Sequence, residues 1–201
     1  MKTTKYSSLY TGKLPLGCKL CMDGAKLVYF ATGLCSRSCF YCPLSEDRKG
    51  RDVSYADEVP VKGLEDVINE AKAINAKGVG VTGGDPLLKV GRLAKTIKAL
   101  RDNFYDRLHV HVYTTTQPHV SHDALRMLVE AGVDELRFHP NVEVDDALQP
   151  IKIAVDMGFN VGVELPAIPG FEEKLIKFIG CAEKLGVSFV VLNELEMTES
   201  N

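Results

Sequence analysis

Hydrophobic positions alternate between two periodicities along most of the chain. The segment 62–76 has helical spacing, because its apolar residues recur every three or four positions (Leu64, Val67, Ile68, Ala71 and Ile74). Short runs rich in Val, Leu and Phe follow such segments, often directly after a glycine that suits a helix C-terminus. The glycines at 132, 158 and 186 are 26 and 28 residues apart, about one helix plus one strand. The pattern therefore predicts repeated βα units and a parallel sheet.

This pattern predicts six strands and five helices. We expect strands at about 27–32, 78–82, 108–114, 134–138, 160–165 and 188–193. We expect helices near 62–76, 89–102, 121–131, 146–157 and 171–185, with Pro150 either in the first turn of its helix or breaking it. Six βα units are too few for the usual closed eight-stranded barrel. The expected fold is α/β, an open or partial (β/α)6 barrel of parallel strands with its active face at the strand C-termini.

Two regions are expected along the chain. Residues 1–25 form an N-terminal extension that carries a Cys-x2-Cys pair, and residues 26–201 form the βα core. The polar stretch 45–52 is expected to be a long loop after the first strand. Because the core ends directly after its sixth strand, we expect that it lacks its last helix or a C-terminal extension, or that a partner covers this end.

Strand alternation predicts a polar interior. In the third strand the apolar residues Leu108, Val110 and Val112 alternate with His109, His111, Tyr113 and Thr115. Since the helix-facing side of a parallel sheet is apolar, the polar set should face the barrel interior. The same alternation directs Arg137, His139 and Glu164 inward. Buried charges are costly without partners, so these residues predict a ligand cavity.

Composition narrows the class of protein. The 201 residues include 24 Lys+Arg and 27 Asp+Glu, a net charge of −3, and 45% are hydrophobic. These values exclude a disordered chain and do not favour a dedicated nucleic-acid binder. The first residues have no apolar core of the length a signal peptide requires, and no apolar run approaches membrane-spanning length, so we expect a cytoplasmic protein with reduced cysteines.

Five of the six cysteines fall within 25 residues. Cys35, Cys39 and Cys42 form a C-x3-C-x2-C motif directly after the first strand, and three such thiolates can hold three irons of a cubane cluster while the fourth iron stays open. A structural zinc site would need a fourth ligand, and none has the usual spacing. Tyr41 is expected to shield the cluster from solvent. A non-catalytic zinc or iron–sulfur module remains the alternative.

With this motif the chain resembles the radical S-adenosylmethionine (radical SAM) superfamily. A second segment supports the resemblance, because Thr82, Gly83, Gly84 and Asp85 after the second strand are similar to the family's Gly-Gly-Glu segment, which contacts the methionine amino group. The resemblance implies a partial (β/α)6 barrel, a 4Fe–4S cluster on the three cysteines, and S-adenosylmethionine bound to the open iron. Asp85 in place of Glu leaves open whether this side chain contacts the ligand.

The resemblance implies further site residues. Arg137 would pair with the methionine carboxylate, His139 or Glu164 would approach the ribose, segment 161–170 would contact the adenine, and Asn193 would contact ribose or substrate, with Tyr113 also lining the cavity. The implied reaction is reductive cleavage to methionine and a 5′-deoxyadenosyl radical, which abstracts hydrogen from an unknown substrate.

The run from Cys39 to Ser45 and the segment 48–50 are similar to an archaeal subgroup related to pyruvate formate-lyase activating enzymes. An activase would modify a partner protein. The alternative substrates are a small molecule, a lipid or an RNA, and the nearly balanced charge does not favour a nucleic acid. The implied electron donor is ferredoxin or flavodoxin.

Other polar residues carry less specific predictions. Cys18 and Cys21 could belong to an extra metal or cluster site or to an ordinary N-terminal turn, and Cys181 is expected to pack as a small hydrophobe. His109 is expected to be structural. We expect His119 and His122 at the surface. Arg48, Lys49 and Arg51 would form a solvated loop or dock a reductase or an anionic substrate.

Overall fold

The structure is a computed structural model that describes residues 1–105, 108–141 and 148–198. The first 25 residues contain a small antiparallel sheet of β1 (Lys2–Thr3) and β2 (Leu9–Tyr10), followed by helix α1 (Leu16–Met22). Helix α1 was not predicted, because seven residues ending in a charged turn show no helical period of apolar positions.

The central sheet has eight strands, of which six are parallel and lie within two residues of their predicted bounds. The strands are β3 (Lys26–Phe30), β4 (Tyr55–Ala56), β5 (Val59–Pro60), β6 (Gly78–Thr82), β7 (His109–Thr114), β8 (Glu135–Phe138), β9 (Asn160–Ala167) and β10 (Phe189–Glu194). Their order is β10-β9-β8-β7-β6-β3-β4-β5. In the described part of the chain β10 pairs with β9 alone and β5 with β4 alone, so the sheet is open, as expected for a partial barrel.

The sheet has two more strands than predicted, because β4 and β5 form an antiparallel hairpin that pairs with the edge of β3. Each of these strands has two residues, too few to show the alternation that identifies a strand from sequence. The hairpin follows the polar loop 45–52, whose backbone is held against Gly33 through hydrogen bonds of 2.9 Å from Gly33 N to Arg51 O and from Gly50 N to Gly33 O.

Helices cover the outer face of the parallel strands. They are α2 (Leu64–Ala73), α3 (Val90–Phe104), α4 (His122–Ala131), α5 (Gln149–Asp156) and α6 (Glu172–Leu185), with a short 3₁₀ helix at Pro86–Lys89. Pro150 is the second residue of α5, where its missing N–H removes no intrahelical hydrogen bond. The predicted start of this helix at 146 lies outside the described residues. None of the described helices is both long and apolar enough to span a bilayer.

The alternation predicted for the strands is confirmed. Leu108, Val110 and Val112 are at most 1% exposed and join the core between sheet and helices. Leu136 and Phe138 of β8 are likewise fully buried. Their polar neighbours face the other side of the sheet, so the strand C-termini and the barrel interior carry the candidate chemistry.

Candidate active site

The three motif cysteines lie on one loop after β3, named here the cluster loop (residues 35–42). Cys35 is exposed, Cys39 and Cys42 are half-buried, and none of the three forms a disulfide. Three thiols on one short loop at the active face are the donor set that an iron–sulfur cluster with one open iron requires, so these residues fit the cofactor. Across the described residues, no three His, Cys, Asp or Glu side chains are gathered closely enough to hold a metal ion as they stand, at either cysteine motif.

The glycine pair after β6 packs against the segment that leads into the cluster loop. Gly84 N donates to Thr32 O at 2.8 Å and Asp85 N donates to Leu34 O at 2.6 Å. A Cβ at Gly83 would lie 2.3 Å from Thr32 O, and one at Gly84 would lie 2.3 Å from Leu34 O. Both glycines are therefore required for the close approach of two backbones at the base of the cluster loop.

The Asp85 side chain is directed into the protein and is fully buried. Its carboxylate accepts hydrogen bonds from Leu87 N, Thr114 Oγ1, Thr115 N and Oγ1, and His119 Nε2 at 2.7–3.3 Å. Burial acts to raise the pKa of Asp85, but the hydrogen bonds from His119 and Thr115 outweigh it and lower this pKa. The carboxylate thus joins the loop after β6 to the end of β7, and a contact of Asp85 with the ligand stays a prediction.

The prediction that His119 lies at the surface is wrong. Its side chain is 21% exposed and its Nε2 is 2.7 Å from Asp85 Oδ2. The position of His119 near a helix start does not indicate this contact, because its partner Asp85 lies 34 residues away in sequence. His122, in contrast, is exposed at the first residue of α4, as predicted.

Two residues of the cluster loop are bonded to the ends of β7 and β8. Arg37 donates from Nη1 to His139 O at 2.6 Å and from Nη2 to Thr116 Oγ1 at 2.7 Å. Tyr41 is buried, and its hydroxyl lies 3.1 Å from His139 Nε2. The other ring nitrogen of His139 is 3.0 Å from Glu164 O and donates to it, so Nε2 accepts from the Tyr41 hydroxyl. His139 therefore connects the cluster loop to β9.

Four predicted site residues meet inside the barrel around the Glu164 carboxylate. Tyr113 Oη and Arg137 Nη1 donate to Glu164 Oε2, each at 2.9 Å, and Asn193 Nδ2 donates to Oε1 at 2.8 Å. Burial, followed by the Glu164 charge, raises the pKa of Tyr113 above its ordinary value, so its hydroxyl stays a neutral donor. This network fixes the position of the Glu164 carboxylate, and its approach to the ribose stays a prediction.

Arg137 has its donors occupied within the protein. Its Nε donates to Glu135 Oε1 at 2.7 Å, and its Nη2 lies 3.3 Å from Cys18 Sγ. Glu135 is fully buried, so the pair is buried with it. Pairing of Arg137 with the methionine carboxylate stays a prediction; in the structure the guanidinium joins Glu164 to the amino end of the barrel.

Helix α1 closes the amino end of the barrel, over a set of polar side chains named here the barrel floor (Lys26, His109, His111, Glu135 and Arg137). Gly17 is buried, and a Cβ there would lie 2.7 Å from His111 Nδ1 and 2.8 Å from both Arg137 Nη2 and Glu135 Oε1. Burial, followed by repulsion from Lys26, lowers the pKa of His111, which is neutral at pH 7. Burial and repulsion from Arg137 lower the pKa of Lys26 to about 8.

The basic loop is only partly solvated. Arg48 was expected in a solvated loop, but its side chain is 25% exposed and pairs with Glu58 at 2.5 Å. Its guanidinium also lies 4.2 Å from the centre of the Tyr55 ring. The hairpin that sequence analysis missed supplies these partners. Lys49 is half-buried, whereas Arg51 is exposed.

Comparison with known proteins agrees with this geometry. The family model of the radical SAM superfamily matches residues 29–179, which include the cluster loop, the glycine pair and β6 to β9. The chain therefore belongs to the radical SAM superfamily, a class of enzymes that use S-adenosylmethionine and a 4Fe–4S cluster. The family and the two cofactors that the resemblance implied are confirmed.

Among individual relatives, the chain is 42% identical over 206 residues to a protein of Methanocaldococcus jannaschii named as a glycyl-radical enzyme activating enzyme. The match covers 98% of this chain and 54% of the relative, so the chain spans about half the relative's length.

Solved structures share the fold. The [FeFe]-hydrogenase maturase HydG has a TM-score of 0.60 at 16% identity, over 86% of this chain and 44% of that chain. Streptococcus suis SuiB bound to S-adenosylmethionine has a TM-score of 0.62 at 13% identity, over 92% of this chain and 43% of that chain.

Proposed function

We propose that this chain is the S-adenosylmethionine-cleaving part of an activating enzyme that places a radical on a partner protein. The observation that carries the proposal is the cluster loop, whose three cysteines begin directly after Leu34, the residue whose backbone packs against Gly84. When bound, the cluster and S-adenosylmethionine supply a one-electron reductive cleavage that yields methionine and a 5′-deoxyadenosyl radical, which takes a hydrogen atom from the substrate.

The chain's own residues divide this task. Cys35, Cys39 and Cys42 would hold the cluster, and the buried ring of Tyr41 would shield it from water. The Glu164 carboxylate accepts three hydrogen bonds from Tyr113, Arg137 and Asn193 and is thereby preorganised toward ribose hydroxyls. Backbone groups of the Gly83–Gly84 segment would contact the methionine end, since the Asp85 side chain is engaged within the protein.

A protein substrate is favoured over a small molecule by the 42% identity to the activating enzyme of M. jannaschii, which extends over 98% of this chain. The sheet is open, with β10 and β5 as its edge strands in the described part of the chain, and an open sheet is compatible with docking of a polypeptide segment. The reductant would be a ferredoxin or flavodoxin, and the compartment a reducing cytoplasm, because free thiols persist there.

Anaerobic reconstitution tests the cofactor part of this proposal. We expect the wild-type protein to bind iron and sulfide and to form 5′-deoxyadenosine from S-adenosylmethionine and dithionite. Cys39→Ala should lose both properties. Cys181→Ala, which removes a half-buried thiol of α6 remote from the motif, should retain them. Near-stoichiometric zinc with no 5′-deoxyadenosine would instead establish the non-catalytic metal-binding module.

Isotope transfer tests the substrate class. Glycine is labelled because the M. jannaschii relative is named as a glycyl-radical enzyme activating enzyme. The host is grown on α-deuterated glycine, and its extract is separated into macromolecular and small-molecule fractions. Each fraction is then incubated with the reconstituted protein. Deuterium in 5′-deoxyadenosine from the macromolecular fraction alone, with a protein-bound radical in the EPR spectrum, is the expected result. Transfer from the small-molecule fraction alone would refute the activase assignment while leaving S-adenosylmethionine cleavage intact.

A further inference from the structure

The middle of the cluster loop is anchored by one arginine. Arg37 lies in the three-residue spacer between Cys35 and Cys39, and it reaches a carbonyl that is 102 residues away in sequence, His139 O. Its second donor reaches the Thr116 hydroxyl after β7. With the amide of Gln117 oriented so that its oxygen faces the guanidinium, this oxygen also accepts from Arg37 Nε at 3.3 Å.

These contacts differ from those at the two ends of the loop. The start of the loop is fixed by backbone hydrogen bonds to the glycine segment, and its end by the Tyr41 hydroxyl. Between these points Cys39 is half-buried and packs against the hydrophobic core, whereas Cys35 is exposed, so apolar packing covers only part of the spacer. A guanidinium that donates to two or three acceptors on other strands is a strong restraint on this spacer, because charge-assisted hydrogen bonds are short and directional.

We propose that Arg37 is a positioning residue that holds the cluster loop on the ends of β7 and β8 before and after the cluster is inserted. This inference rests on the proposed function for its purpose, since the restraint matters only if the loop carries a cluster. Arg37 acts through the backbone: the Cys35 thiol lies 3.4 Å from Arg37 N, so a fixed Arg37 also fixes a donor beside that sulfur. Donors near cluster sulfurs stabilise the bound cluster.

The first experiment needs no cluster. The apoprotein of wild type, Arg37→Ala, Arg37→Lys and Arg51→Ala is pulsed with iodoacetamide under anaerobic conditions, and labelling of Cys39 and Cys42 is measured by peptide mass spectrometry against Cys181. Arg51 is a matched control, because it is an exposed arginine of the neighbouring loop. We expect Arg37→Ala to label Cys39 at least about tenfold faster, because hydrogen bonds from a charged group are lost.

The conservative variant separates charge from geometry. Arg37→Lys keeps the charge but has no planar fork that serves several acceptors, so its labelling rate should fall between wild type and Arg37→Ala. In Thr116→Val one acceptor is lost. Its effect should be smaller than that of Arg37→Ala and absent in the Arg37→Ala background, because both changes remove the same contact.

A second readout follows the assembled cluster. Reconstituted Arg37→Ala should lose iron to a chelator faster than wild type and Arg51→Ala, at equal starting iron content. Equal labelling and equal iron loss in Arg37→Ala and Arg51→Ala would overturn the proposal. If Arg37→Ala does not fold, Arg37→Lys and Thr116→Val decide between the same outcomes. If Arg37→Ala is labelled faster but the wild-type protein cleaves no S-adenosylmethionine, the anchoring role is upheld and the proposed function is refuted.

Discussion

Replacing Gly17 by Ala is expected to destabilise the protein, although alanine is the better helix former. Helix α1 lies so close to the barrel floor that the added Cβ would come within 2.7–2.8 Å of three buried polar atoms, on His111, Arg137 and Glu135. Carbon atoms in contact with such groups need about 3.5 Å. The helix must therefore move away, or the buried ion pair must shift.

Two effects of opposite sign decide how much Gly17→Ala changes the free energy of unfolding. Alanine gains about 1 kcal/mol over glycine in a helix interior. Overpacking a fixed buried site costs about 1–3 kcal/mol, and disturbing a buried ion pair adds about 3–5 kcal/mol at its upper limit. We expect a net loss of about 1–3 kcal/mol, because a seven-residue helix can relieve part of the strain by tilting.

Gly180→Ala is the matched control. Gly180 lies within α6, and a Cβ there would meet no heavy atom within 4 Å. The same substitution should therefore stabilise this helix by about 0.5–1 kcal/mol. Thermal and guanidinium unfolding of the reduced apoproteins measures both changes, at about 2–4 °C per kcal/mol for a chain of this size.

The half-buried Cys18 thiol, bonded to Arg137, reports on α1 alone, and its alkylation should accelerate in Gly17→Ala but not in Gly180→Ala. Equal stabilisation by both substitutions, with unchanged alkylation of Cys18, would show that α1 is not seated on the barrel floor.

Two further substitutions test buried charges. Lys26→Met should raise the free energy of unfolding at pH 7 by about 1–2 kcal/mol. Lowering the pKa of Lys26 from 10.5 to about 8 costs the folded protein roughly 3 kcal/mol at this pH, and loss of the Lys26–His111 hydrogen bond offsets about 1–2 kcal/mol of the gain. Because the unfolded chain binds more protons between pH 8 and 10.5, wild type gains stability as pH rises through this range, and the difference between the two proteins should shrink toward pH 10. A difference that is constant from pH 7 to 10 would contradict the lowered pKa. Asp85→Ala should cost about 3–5 kcal/mol in urea unfolding at pH 7, because buried donors including His119 lose their charged acceptor. Since the pKa of Asp85 is lowered below 3.8, this loss should diminish as pH falls below that value; a loss under 1 kcal/mol would be inconsistent with the buried network.

The regular part of the fold was predictable because each βα unit repeats the same local chemistry. Apolar residues at period two define β7, and the αL glycines at 132 and 186 end the helices before β8 and β10. The convergence of Tyr113, Arg137 and Glu164 also followed from alternation, since adjacent parallel strands place their interior residues side by side.

Other contacts could not be predicted because they depend on pairs that are distant in sequence. The barrel floor is covered by α1, a seven-residue helix whose apolar positions show no helical period in the sequence. The Asp85–His119 and Arg37–His139 contacts join loops whose relative placement follows from the register of four strands. The family motif identified the cysteine ligands, but it did not indicate that Asp85 faces inward or that Arg48 packs on an aromatic ring.

The contacts that close both ends of the barrel constrain the order of maturation. Cys18–Arg137, Arg37–His139 and Tyr41–His139 join residues 119, 102 and 98 positions apart. During synthesis the cysteine segment leaves the ribosome before β8 does. Its contacts with Arg137 and His139 form only after β8 has been synthesised, because contacts between residues distant in sequence form late. A cluster-delivery system that acted on the cysteine segment before β8 was synthesised would find an unanchored loop. Iron–sulfur loading should therefore be a step that follows synthesis of most of the barrel.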